Sequence, residues 1–235
     1  MLRTKGFGSV PGRGWRSLST GLVLLIAVLL ICVSAALPMA RGGGAMLRQI
    51  TRDELQVTNG AVTALPDGAL AIDAPSSRAI VRNAPEGADS QDAEIRFRYL
   101  GPSKADKPLA SGELRRQIGL KLRAADSCNV VYVMWHIAPD SRIAVSVKRN
   151  AAHRHAQCGV HGYETIVPRR WSAPRPIHPG EVRTLRAELR GRALVAIADG
   201  RMVWQGTLPR VLPAGPPGFR TDNARFLLKY FAGER

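Results

Sequence analysis

The segment from 179 to 231 leaves this chain few ways to fold. Leu185, Ala187 and Leu189 alternate with Arg186, Glu188 and Arg190, the period of a strand with one buried face. Asp199-Gly200 then stands between two short apolar runs, 193–198 and 201–206, a strong signal for a two-residue hairpin. A Pro/Gly-rich connection follows, and Phe226, Leu228 and Tyr230 mark a closing strand. The segment reads strand, turn, strand, loop, strand.

The same pattern recurs upstream. Runs 56–65 and 69–74 flank Pro66-Asp67-Gly68, another hairpin signal. In 94–100, Ile95, Phe97 and Tyr99 share one face and Arg96 and Arg98 the other. Ile118, Leu120 and Leu122 predict a similar half-buried strand over 116–123, as do Ile143, Val145 and Val147 over 142–148. The run 130–137 is apolar on both faces and is expected at the centre of a sheet, covered on both sides. Helical patterning is weak, at 51–55 and 115–121 only. Many short strands and few helices predict a sandwich.

The C-terminal run, with Gly218-Phe219-Arg220-Thr221-Asp222-Asn223 leading into its last strand, resembles the end of a concanavalin A-like (laminin-G-like) β-sandwich. The resemblance extends over 50–232 through Leu120-Lys121-Leu122-Arg123 and Val131-Tyr132-Val133. It implies an all-β, two-sheet antiparallel jelly-roll sandwich over 50–235. Arg220, Asp222 and Asn223 are read as a turn held by local hydrogen bonds before the closing strand.

Residues 1–20 carry Arg3, Lys5, Arg13 and Arg16 and no acid, and 21–37 carry no charge at all. As a helix, 21–37 would cover about 25 Å, near the short limit for a bilayer. The expectation is a basic cytoplasmic N-terminus at 1–20, a transmembrane helix or signal-anchor at 21–37 and a Gly-rich link at 38–49. An uncleaved anchor is favoured over a cleaved signal peptide. By the positive-inside rule the domain then lies in the periplasm or outside the cell, anchored in the inner membrane, or secreted if the segment is cut.

Past residue 41 the chain holds 29 Lys and Arg against 18 acids, a net charge of +11. Arg outnumbers Lys 28 to 6 over the whole chain and is spread over many strands, which fits a compositional bias as well as attraction to a polyanion. Export and the lack of a recognition helix or aromatic RNA-binding motif speak against nucleic acid.

Of three cysteines, Cys32 lies in the apolar segment, so Cys128 and Cys158 are the pair available for a disulfide in an oxidising compartment. His153, His155, Cys158 and His161 fall within nine residues, but their spacing matches no structural zinc pattern, and Arg149 and Arg154 oppose a cation. No metal and no cofactor are expected. Carboxylates are scattered, without the close pair that glycoside hydrolysis needs, and no nucleophile elbow or phosphate loop occurs.

Sugar binding calls for aromatic rings beside hydrogen-bonding side chains. Tyr132 and His136 project from one side of the central strand with Met134 between them, and Trp171 is the aromatic least easily explained by core alternation. These three are the candidate ligand residues, although Tyr132, like Trp135 and Trp204, also fits a core role. The reading favours non-catalytic recognition of a glycan or anionic envelope polysaccharide. A glycan-acting hydrolase of the same fold and a structural envelope protein binding another protein are the alternatives.

Overall fold

The computed structural model describes residues 46–84 and 90–233. The segments expected at 1–20 and 21–37 lie outside the described residues, as does most of the link at 38–49. The described strands belong to one compact unit, Gly42–Arg235.

Fourteen strands occur among the described residues, and no helix. In chain order they are β1 (Leu47–Ile50), β2 (Leu55–Asn59), β3 (Thr63–Ala64), β4 (Leu70–Val81), β5 (Ser90–Pro102), β6 (Arg116–Leu122) and β7 (Val130–Ala138). Then follow β8 (Arg142–Lys148), β9 (Tyr163–Thr165), β10 (Arg170–Trp171), β11 (Val182–Arg190), β12 (Ala193–Ala198), β13 (Arg201–Thr207) and β14 (Gly218–Gly233). Every pairing is antiparallel. The hairpin at Asp199-Gly200 forms with both residues at positive φ, 49° and 76°, which the twist of a two-residue loop demands.

The main path runs β10-β13-β12-β11-β5-β14-β6-β7-β8-β9, with β4 and β1 also pairing β14. The layers of this sandwich are thus one continuous sheet that curls on itself, where two separate sheets were expected. The long strand β14 makes the connection. Its residues 218–222 lie between β4 and β6, and residues 226–232 run beside β5. Between the halves Asn223 takes φ 54° and the β5 register shifts at 225/226. An Asn tolerates that left-handed conformation better than most side chains.

The inner faces meet in a core where Phe97 of β5 packs edge-on against Trp135 of β7 and against Phe226 of β14, with ring centroids 5.9 and 5.7 Å apart. Leu185, Ala187 and Leu189 lie in this core, as the alternation predicts. Two local expectations are corrected. Residues 51–55 form a turn, with Leu55 N donating to Arg52 O, and 115–121 enters a strand, so neither is helical. β6 is also not half-exposed: Gln117, Gly119 and Lys121 are buried together with Ile118, Leu120 and Leu122. β6 and β7 lie between β14 and β8 in the sheet, the core covers their inner face, and residues of the 109–115 and 160–174 segments wall the cavity on their outer face.

Candidate functional site

The outer face of the β4–β14–β6–β7–β8 layer carries an unusual density of polar side chains. Antiparallel register places opposed residues on one face. One row across the sheet is Ser76, Asp222, Gln117, His136 and Arg142. The next is Arg78, Arg220, Gly119, Met134 and Ala144. A third is Lys121, Tyr132, Ser146 and Thr165. Gly119 lets these rows close up: a Cβ there would stand 2.3 Å from Val133 O and 2.5 Å from Met134 Sδ.

A cavity of about 960 Å³ opens on this face. Its floor includes Gln117, Tyr132, Met134, His136, Arg142 and Arg220. One wall is the 109–115 segment, which Asn223 ties to β14 by accepting from Lys107 N at 2.7 Å and donating to Arg115 O at 3.1 Å. Another wall, Val160 to Pro174, brings Tyr163 of β9 and Trp171 of β10 to the rim. Tyr163 stacks on Tyr132 with centroids 6.1 Å apart, and the Arg220 guanidinium lies 5.4 Å from the Tyr132 ring centroid.

Tyr132, His136 and Trp171 therefore line one cavity, although 35 residues separate His136 from Trp171. Their settings differ. Tyr132 and His136 are buried, whereas Trp171 is 71% exposed at the end of the edge strand β10, opposite the buried Trp204. Trp135 points to the other side of β7, into the core. Arg220, Asp222 and Asn223 form no turn; they lie within β14, because its pairing with β4 and β6 extends the strand back to Gly218. Arg220 lines the cavity, and so do Arg115, Gln117, Arg142 and Tyr163, none of which stood out as site residues by sequence.

Asp222 is the anionic anchor of the floor. Fully buried, it accepts from Arg220 Nε at 2.7 Å, Arg220 Nη2 at 3.2 Å and Gln117 Nε2 at 2.7 Å. Burial works against the Arg220 charge, but the adjacent Asp222 outweighs it and the guanidinium is held more firmly protonated than usual. Burial drives the Lys121 ammonium down to about 8, and Arg78 and Arg220 push it the same way. Tyr132 is pushed up to about 12 by burial and by Tyr163.

His136 sits between two cations. Arg142 Nε donates to its Nδ1 at 3.1 Å, and Arg115 Nη1 lies 3.4 Å from its Nε2. Burial, then Arg115, Arg142 and Arg220, lower its pKa to about 3, so the ring is neutral near pH 7. Both arginines can only donate, and the shorter contact, at Nδ1, assigns the acceptor role there and the single ring proton to Nε2. Nε2–H then faces Arg115 donor to donor.

The disulfide Cys128–Cys158 is formed, with Cα atoms 5.7 Å apart. It ties the start of β7 to the loop that precedes β9. Cys158 is thus committed to sulfur, and no cluster of three or more metal-ligating side chains occurs among the described residues.

No protein-family model matches the chain, and no curated protein matches it significantly in sequence. Among solved structures, the fold is similar to the carbohydrate binding module CBM66 from Bacillus subtilis, with a TM-score of 0.52 and 15% identity over 74% of this chain and 91% of that one. The potassium-bound carbohydrate recognition domain of Emp46p matches with a TM-score of 0.48 and 12% identity, over 77% and 88% of the two chains. The GH43 protein BlXynB from Bacillus licheniformis matches with a TM-score of 0.49 and 11% identity, over 80% of this chain and 38% of that one. The likeness to CBM66 shows a shared fold and nothing finer.

Proposed function

We propose that the chain is a membrane-anchored, concanavalin A-like domain that recognises a glycan outside the cytoplasm without cleaving it. The observation that carries this reading is the cavity itself, where the exposed Trp171 ring and the Tyr163–Tyr132 stack meet a floor rich in hydrogen-bonding side chains. Sugars present apolar ring faces and polar edges, and such a surface answers both. Its volume, about 960 Å³, stands near the top of the range of roughly 300–1,000 Å³ for small-ligand sites, room for more than one sugar ring.

The fold-level likeness to a carbohydrate binding module supports the same reading. Glu113 is the only carboxylate among the described residues lining the cavity, and it is held by Arg115. Glycoside hydrolysis in its usual form needs two carboxylates about 5–10 Å apart, so this lining favours binding over cleavage. In this reading residues 21–37 anchor the protein in the inner membrane and the domain lies in the periplasm or outside the cell. The Cys128–Cys158 disulfide fits an oxidising compartment.

The test is a glycan array probed with the full chain in mild detergent, wild type beside Trp171→Ala. The expected result is binding to a defined glycan that falls about tenfold in the variant, with its melting temperature unchanged because Trp171 is exposed. An absence of glycan binding overturns the reading; equal affinity in the variant removes Trp171 from the site.

A further inference from the structure

The charges around the cavity do not balance. Arg220 is paired with Asp222 and Arg115 with Glu113. Arg142 lines the same cavity and has no acid partner among the described residues; its Nε is spent on His136 Nδ1. Behind it, Lys121 and Arg78 share the sheet face, also without an acid partner among the described residues. Lys121 is only 5% exposed, so its charge is poorly screened. With Lys148, which the β7–β8 register puts on the same side, six cations (Arg78, Arg115, Lys121, Arg142, Lys148 and Arg220) share one face with two carboxylates, Glu113 and Asp222.

Such an arrangement costs stability through mutual repulsion unless something negative arrives. Burial is the main cause that lowers the pKa values of Arg115 and Lys121, and the neighbouring guanidinium groups, which push the same way, add the repulsion. His136 adds direction. Its Nε2–H and Arg115 Nη1 converge as donors 3.4 Å apart, and an anionic oxygen placed between them satisfies both. Arg142 holds the other ring nitrogen through its Nε and lines the same cavity, so its guanidinium adds positive charge beside this pair of donors. Exposed arginines elsewhere, such as Arg201 at the start of β13, are not part of this lining.

From this convergence of Arg115, His136 and Arg142 within the cavity, we infer that the site takes an acidic saccharide and seats its anionic group, a carboxylate or a sulfate ester, against these donors. The inference rests on the glycan-binding reading above and names the class of glycan. The aromatic rim holds the sugar rings and the floor reads their charge.

The experiment is binding of the full chain in detergent to immobilised uronate oligosaccharides (oligogalacturonate, oligoalginate and hyaluronan), sulfated oligosaccharides, carboxyl-reduced counterparts of the uronates, desulfated counterparts of the sulfated sugars, neutral glucans and fructans, and poly-glutamate. Wild type is compared with Arg142→Gln and with the control Arg201→Gln. Arg142 is exposed, so its variant folds, which thermal melting verifies. The expected result is binding to at least one acidic oligosaccharide that drops tenfold or more in Arg142→Gln and in the carboxyl-reduced or desulfated sugar, while Arg201→Gln binds as wild type. Arms with uronate and with sulfate then separate the two sources of negative charge. Binding to neutral glycans alone, with Arg142→Gln unaffected, overturns the acidic specificity and leaves the glycan reading standing. Binding to poly-glutamate and every acidic sugar alike, equally weakened by Arg142→Gln and Arg201→Gln, reduces the effect to diffuse charge and overturns the inference. Binding to no sugar at all overturns both.

Discussion

At the scale of single residues, the charge state of His136 follows from its surroundings. The ring is buried, and Arg115 and Arg142 sit at its two nitrogens, so protonation is opposed by lost solvation and by repulsion together. Its pKa falls from 6.5 to about 3. Between those values the unfolded chain holds a proton that the folded chain does not, so folding stability declines as pH drops from about 6.5 toward 3. The slope reaches about 1.4 kcal/mol per pH unit for this one group. In His136→Gln that contribution vanishes. Urea denaturation at pH 7.5 and 4.5 is expected to show wild type losing about 2–3 kcal/mol more than the variant over this interval. A difference between the two proteins that stays constant with pH would place the ring in contact with solvent. Trp171 belongs to this scale as well: its truncation is expected to alter binding and leave folding untouched, the reverse of what truncating the buried Trp135 would do.

At the scale of elements, the cavity walls are loops that need fastening. The 149–162 segment between β8 and β9 carries Val160 toward the cavity and leads into Tyr163. It is held near its finish by Cys128–Cys158 and near its start by Asn150, which donates to Cys128 O at 3.2 Å and His161 O at 3.0 Å. Closing the 30-residue interval between the cysteines is worth roughly 3–4 kcal/mol in the chain-entropy picture. The double variant Cys128→Ser/Cys158→Ser is expected to lose about that much in chemical denaturation. It should also bind glycan more weakly, because Tyr163 no longer has a fixed wall behind it. A variant as stable as wild type would mean that the hydrogen bonds alone hold the loop. The opposite wall, at 109–115, depends instead on Asn223, a residue in β14 more than a hundred positions away.

At the scale of the whole molecule, β14 decides the architecture. By pairing with β6 in its first half and β5 in its second, with β4 along much of its other edge, it turns one sheet into two facing layers and leaves the polar outer face of β6 and β7 beneath the cavity. The proposed anchor at 21–37 adds a prediction at the same scale. The full chain should stay with membranes after an alkaline wash, and protease added outside the inner membrane should digest the domain. Release by the wash, or protection from that protease, would overturn the proposed anchoring and orientation respectively.

The period-two alternation of 94–100, 142–148 and 182–190 and the Asp199-Gly200 turn were enough to determine antiparallel strands and the inward side of each. Side-chain direction in a strand is set by the residue's own place in the pleat, so nearest neighbours in sequence carry that information. The pairing of Cys128 with Cys158 was legible for a simpler reason, since the third cysteine lies in the apolar segment. The shared side of Tyr132 and His136 was legible too, because both sit on one strand. The rest of the site was not. Asp222, Gln117, His136 and Arg142 form one row only because β14, β6, β7 and β8 pair in a particular register, and register between strands up to a hundred residues apart leaves no mark in either strand alone. For the same reason Arg220 resembled a turn residue and Lys121 an exposed strand residue. Local chemistry determined what each strand looks like; only the closed sheet decided which polar faces meet over a cavity and which charges gather there without an acid partner among the described residues.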